Sequence, residues 1–102
     1  MKIPILDKQD DIKKCFDVIL EEQNELNDEL MILLCNKNLS EEEKEVVRNR
    51  IKEESFDLIQ GCIGILDKLG ATKEDLEEHY KKLKGRGWKF KSIWEVQHDK
   101  TS

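Results

Sequence analysis

Apolar residues recur at steps of three and four along residues 47–69: Val47, Ile51, Leu58, Cys62, Ile65 and Leu69. That rhythm marks one face of a long amphipathic helix. The step between Ile51 and Leu58 lands on Glu54, with Asp57 three residues further on. A carboxylate on a packing seam is costly unless it is paired, protonated or bound to a cation. Whatever this chain folds into, the fold must supply that compensation.

A second helix with the same rhythm precedes it. Ile12, Phe16, Ile19, Leu26, Leu30 and Leu33 form its stripe, with Gln23 as a polar interruption. This first helix is predicted to start near Asp7 or Asp10 and to end near Lys37. The segment NKNLSEEE closes it and opens the next, with Ser40 and Glu43 spaced as a capping box and glutamates 41–43 at the positive end of the helix dipole. The second helix spans about Glu41–Leu69 and stops at Gly70, and a third, shorter helix follows from Thr72, with Asp75 three residues on. The short connection near Asn38 predicts an antiparallel pair. The glycines of GRG (85–87) break the third helix, and the apolar–polar alternation after it suggests a short extra element or an arm over residues 89–102. The expectation is therefore one all-α domain over residues 1–102, an antiparallel helical bundle with a C-terminal tail.

At 102 residues with 37% hydrophobic and 40% charged residues, the core is thin, and a chain this short gains from an oligomer that completes it. The net charge of −5 argues against a nucleic-acid polymer as partner. The cationic charge is nonetheless concentrated: residues 81–91 hold six Lys or Arg and no acid. Cys15, Cys35 and Cys62 lack metal or disulfide spacing and sit on or beside apolar helix positions, reading as small hydrophobes in a reducing compartment. No stretch is apolar enough for a signal peptide or a membrane span, so the expected location is cytoplasmic.

On the first helix Glu22 and Glu25 are three residues apart, as Glu54 and Asp57 are on the second. Residues at that spacing share a helix face, with Cβ atoms roughly 5–6 Å apart. Counted from the turn near Asn38, Glu25 is 13 residues away and Glu54 is 16, less than one turn of mismatch in an antiparallel pair. Four acids can thus converge between two helices. Bare, they repel by several kcal/mol; a hard divalent cation such as Mg²⁺, which takes oxygen ligands, removes the repulsion. Acid pairs at the same spacing elsewhere, such as Glu42/Glu45 and Glu74/Glu77, read as solvated surface.

EEQNEL, then 28 residues between Glu25 and Glu54, then EESFDLI, resembles the E-x-x-E…E-x-x-D signature of the MazG-like all-α nucleoside triphosphate pyrophosphohydrolases. LDKLG closing the helix and KLKGRGW after it resemble the family's later segments, so the likeness spans roughly residues 10–88. It implies an antiparallel helical fold assembled as a homo-dimer or tetramer, dependence on Mg²⁺ (or Mn²⁺), and hydrolysis of nucleoside triphosphates to monophosphate and pyrophosphate in cleansing the nucleotide pool. Carried over by position, Glu22, Glu25, Glu54 and Asp57 would be metal ligands, with Glu22 or Glu25 orienting or deprotonating the attacking water. Relatives also present a Lys and an Asn toward the phosphates. This chain has Lys82, Lys84, Arg86 and Lys89 and no clear Asn, so Lys82 and Arg86 stand as phosphate candidates.

Trp88 is either a base-stacking or substrate-covering residue or a packing anchor, whereas Phe90, Trp94 and Tyr80 read as packing residues. His79 and His98 have no partner at zinc spacing and read as surface. Gly61 and Gly64 imply either close helix approach or room for a ligand. Two further readings compete with the hydrolase: a non-catalytic helical dimerisation protein in which Glu54 sets register, and a family member that has lost turnover.

Overall fold

The structure, a computed structural model, describes residues 2–6 and 11–95. Those residues are all-helical: α1 (Ile12–Cys35), α2 (Glu41–Lys68) and α3 (Lys73–Gly85), with no strand among them. By its internal contacts the chain forms two compact units, one of Ile5–Gly70 and one of Met1–Pro4 with Ala71–Ser102.

The first unit is the α1–α2 hairpin. Asp11 caps α1 by accepting from Lys13 N at 2.8 Å, so the helix starts at Ile12; the proposed starts at Asp7 and Asp10 lie outside the described residues. At the other end Asn36, not Lys37, closes the helix, and its Oδ1 accepts from Asn38 N at 3.1 Å to turn the chain. Ser40 and Glu43 form the reciprocal capping box that starts α2: Glu43 N donates to Ser40 Oγ at 3.1 Å and Ser40 N donates to Glu43 Oε1 at 3.3 Å. Gly70, with φ of +70°, follows Leu69 and ends α2. Cross-helix neighbours Ile19 with Gly61, Glu22 with Glu54, and Glu29 with Arg50 run in opposite directions along the two helices. The hairpin is antiparallel.

Its core is thin. Among the described residues Cys15 (2% exposed) and Val47 (5%) are the buried hydrophobic side chains, supported by half-buried Ile19, Leu26, Leu30 and Leu33 on α1 and Ile51, Leu58 and Ile65 on α2. The packed phase differs from the sequence reading by one residue at two places. On α1 the polar interruption is Glu22, while Gln23 is exposed, and Ile12 and Phe16 lie on a solvent-facing flank. On α2 Gly61 takes the seam in place of Cys62, which is exposed, as is the helix-capping Leu69. The physical reason is close approach. At 3.6 residues per turn, positions 61 and 62 fall nearly equally on the seam. The position without a side chain is the one that lets Ile19 come in: a Cβ on Gly61 would stand 2.9 Å from Ile19 Cγ1.

The second unit is built on α3. Thr72 and Asp75 form another capping box, Thr72 N donating to Asp75 Oδ2 at 2.8 Å and Asp75 N to Thr72 Oγ1 at 3.3 Å. Its C-terminus is a Schellman turn. Gly87 takes φ of +88°, its N–H donates to the Lys84 carbonyl at 3.0 Å, and Trp88 N–H donates to the Leu83 carbonyl at 3.1 Å. The chain is thereby folded back, so that Phe90 lies edge-on to Tyr80 and beneath the Lys84 ammonium, 5.3 Å from the ring centre. Residues 88–95 have no regular secondary structure, and the rest of the tail, including His98, lies outside the described residues.

Candidate metal centre

Halfway along the hairpin the seam is acidic. Glu22 and Glu54 occupy interior positions because the helical rhythm puts them there, in line with Cys15, Ile19 and Leu26 on one helix and with Val47, Ile51 and Leu58 on the other. Glu25, one turn beyond Glu22, reaches in from the exposed edge. One carboxylate oxygen from each of Glu22, Glu25 and Glu54 lies within 4.8 Å of the other two. Asp57, three residues beyond Glu54, is not in that trio. It lines a cavity beside Glu22, and its charge acts on both Glu22 and Glu54.

The electrostatics record the crowding. The Glu22 carboxyl is held above the ordinary carboxylate range first by loss of hydration, with the charges of Glu25 and Asp57 adding to the effect. Glu25 is raised chiefly by sharing a proton with Glu54, and Glu54 chiefly by sharing one with Glu22. Two carboxyls can hydrogen-bond only while one of them is protonated. With all three ionised, Glu22 Oε2 and Glu54 Oε2 are buried atoms with no donor. The centre therefore has two ways of avoiding bare repulsion, protonation or a cation.

The donor set fits a hard divalent ion. Three carboxylates from three positions, two of them with buried oxygens lacking partners, supply the oxygen ligands that Mg²⁺ and Mn²⁺ take and leave room for water in a six-coordinate shell. Among the described residues no cysteine or histidine joins the cluster. The three cysteines are free, Cys15 buried and the other two exposed.

Two residues of this face were not among the sequence candidates. Glu29, one turn past Glu25, also carries a buried Oε2 without a hydrogen-bond partner, and its Oε1 stands 3.9 Å from Arg50 Nη1 on α2. The spacing of Glu22, Glu25 and Glu29 (steps of three and four) was the available signal. Arg50 shared no motif with the acids, and only the pairing of the helices places it.

The other nominated residues belong to the second unit. Lys82 lies in the last turn of α3, Arg86 is its C-cap, and Trp88 stands just past the Schellman turn with 65% of its surface exposed. His79 and Tyr80 face each other at 6.1 Å between ring centres.

No protein-family model, curated protein or solved structure matches the chain.

No helix among the described residues is long and apolar enough to cross a membrane.

Proposed function

We propose that this chain is a Mg²⁺-dependent nucleoside triphosphate pyrophosphohydrolase of the MazG-like all-α type, converting (d)NTP to (d)NMP and pyrophosphate. The observation that carries the reading is the acidic seam. Glu22, Glu25 and Glu54 converge from two helices, Glu22 and Glu54 each with a buried oxygen that no donor satisfies, and Asp57 stands next to them. These are the four positions at which the sequence resembles that family's E-x-x-E…E-x-x-D signature.

In this reading Glu22, Glu25, Glu54 and Asp57 hold the metal, with Mn²⁺ as a substitute. When bound, Mg²⁺ neutralises triphosphate charge and lowers the pKa of coordinated water. The protein's own groups do the rest. Glu22 or Glu25 accepts the proton of the attacking water. The water oxygen bonds to phosphorus, the P–O bond linking the α- and β-phosphoryl groups breaks, and pyrophosphate leaves. Holding the reacting groups in line between two rigid helices supplies the positioning. Lys82 and Arg86 are the phosphate contacts that the sequence resemblance suggests, and Trp88 is either a substrate-covering residue or a packing anchor.

The hairpin also exposes apolar surface that a homo-dimer or tetramer would cover. Phe16 on α1 is 53% exposed, and Phe56, Ile59 and Leu66 recur at helical spacing on a face of α2 that lies away from α1. The same surface favours the second reading, a non-catalytic helical dimerisation protein, or a family member without turnover. Incubating the protein with a dNTP panel and Mg²⁺, and assaying pyrophosphate release, separates them. Release that disappears in Glu54→Gln supports hydrolysis, and a dimer with no release from any nucleotide supports the others.

A further inference from the structure

The net charge of −5 hides a division along the chain. Residues Ile5–Gly70 hold nine Lys or Arg against seventeen Asp or Glu, a net −8, and the remaining residues hold nine against six, a net +3. Within the second unit the positive charge is gathered further. The acids of α3 lie in its first half, at Glu74, Asp75, Glu77 and Glu78, whereas the stretch from His79 to Trp94 holds six cations and no acid.

The same stretch carries large apolar side chains that the fold leaves in solvent. Trp88 (65% exposed), Phe90 (50%), Ile93 (93%) and Trp94 (66%) follow one another within seven residues. Single exposed apolar residues are ordinary, but a cluster of this kind marks a contact surface. The Schellman turn at Gly87 brings the two sets together. It folds the chain back so that Phe90 meets Tyr80 and the Lys84 ammonium near the end of α3.

We propose that residues 80–94 form a docking surface for an anionic phospholipid bilayer, holding the protein against the membrane without spanning it. Charge complementarity is the first argument: a run of six cations without an acid is drawn to anionic headgroups. The apolar residues supply the second. Tryptophan sits at the headgroup level of a bilayer, where its ring is partly covered and partly wet, and Ile93 is covered by entering the boundary of the acyl chains. The third is their interleaving. Lys89 and Lys91 stand between Trp88, Phe90 and Ile93, so one short segment reaches both the headgroups and the apolar layer below. A single-stranded nucleic acid also takes cations with aromatic platforms, but the surface suits it less well. Phe90 already has Lys84 over its ring and Tyr80 against it, and Ile93, the most exposed of the four, has no ring on which a base could stack. The proposal does not rest on the hydrolase reading, and its test leaves the phosphate candidates Lys82 and Arg86 in place.

The test is co-sedimentation of the full chain with vesicles of phosphatidylcholine alone and of phosphatidylcholine mixed with phosphatidylserine, at low and high salt. The expected result is a partition coefficient at least about tenfold higher on the anionic vesicles, falling as salt screens the attraction, with the tryptophan emission of the bound protein shifted to the blue. Ile93→Ser/Trp94→Ser removes the inserting side chains, and Lys89→Gln/Lys91→Gln removes two cations. Each pair should lower binding to anionic vesicles by about tenfold or more. All four positions lie outside the helices, so far-UV circular dichroism should match that of the parent. Equal partition onto both kinds of vesicle, or onto neither, overturns the proposal, as does binding that either pair leaves unchanged. An oligothymidylate that binds when anionic vesicles do not assigns the surface to nucleic acid instead. A smaller assembly of Ile93→Ser/Trp94→Ser in gel filtration assigns it to a second copy of the chain, and either outcome overturns the proposal.

Discussion

Replacing Gly61 by alanine tests the packing that brings the acids together. In a helix interior Ala is favoured over Gly by about 1 kcal/mol, so propensity alone predicts a more stable protein. The structure predicts the opposite. The added Cβ stands 2.9 Å from Ile19 Cγ1, 3.7 Å from Ile19 Cδ1 and 3.9 Å from Val18 Cγ1. Carbon atoms settle at about 3.5–4.0 Å, so the first contact is too short by at least about half an ångström. The offending atom is near the root of the Ile19 side chain, which cannot swing aside without the helix following. Overpacking of this kind costs about 1–3 kcal/mol. Less the propensity gain, the net loss is about 0–2 kcal/mol, with about 1 kcal/mol as the working value. For a domain of this size that lowers Tm by about 4–8 °C.

The assay is thermal and urea denaturation followed by far-UV circular dichroism at fixed protein concentration. Gly85→Ala provides the contrast of sign: nothing lies within 4 Å of a Cβ built there, so it should stabilise by about 0.4–1 kcal/mol. A double-mutant cycle completes the argument, because Ile19→Ala removes the clashing atom, and the pair Gly61→Ala/Ile19→Ala should be less destabilised than the two single effects added together. Gly61→Ala should also shrink the rise in Tm that Mg²⁺ produces, since parting the helices at Ile19 moves Asp57 and Glu54 away from Glu22. If Gly61→Ala raises Tm as Gly85→Ala does and shows no coupling to Ile19, the close-approach reasoning is wrong.

The acids make three further predictions, and a cap makes a fourth. In chelator-treated buffer Glu54→Gln should be at least as stable as the parent and should lose the Mg²⁺-dependent rise in Tm; a large metal-free loss with turnover intact would contradict its assignment as a ligand. Because the folded pKa values of Glu22, Glu25 and Glu54 are raised, their contribution to stability is fully present below the unfolded carboxylate pKa and is lost as pH rises through the raised values. Metal-free protein should accordingly gain stability on acidification from neutrality toward that window, against the slope of its other carboxylates, and Glu54→Gln should flatten the gain in a pH series of urea melts. Mg²⁺ affinity, measured by calorimetry, should fall over the same window, since the ligands must be deprotonated. Ser40→Ala breaks the capping box of α2 and should cost about 1 kcal/mol in urea denaturation, within a range of about 0.5–2.

The helices and their caps were legible because their causes are local. Ser40 with Glu43, Thr72 with Asp75, and Gly70 after the last apolar residue each settle an end without reference to anything distant. The candidate acids were legible as pairs because three residues along a helix is a fixed offset. What could not be read was phase. Whether Glu22 or Gln23, and Gly61 or Cys62, faces inward depends on the partner helix, and the answer turns on a contact between Ile19 and a missing side chain 42 positions away. The cavity beside Glu22 is hidden for the same reason: Lys14 and Gln60 on its walls share no spacing, and only the antiparallel pairing makes them neighbours. Asp57, three residues on from Glu54, lies beside the trio of carboxylates and on the wall of the cavity.

The distribution of thiols has a practical consequence. Cys35 and Cys62 are open to solvent while Cys15 is enclosed where the two helices meet, so an alkylating reagent should modify two sulfurs promptly and the third only when the hairpin parts. The lag before the third adduct is a clock for that opening, readable by intact-mass spectrometry in the unmodified sequence, and any ion or nucleotide that fastens the helices together should slow it.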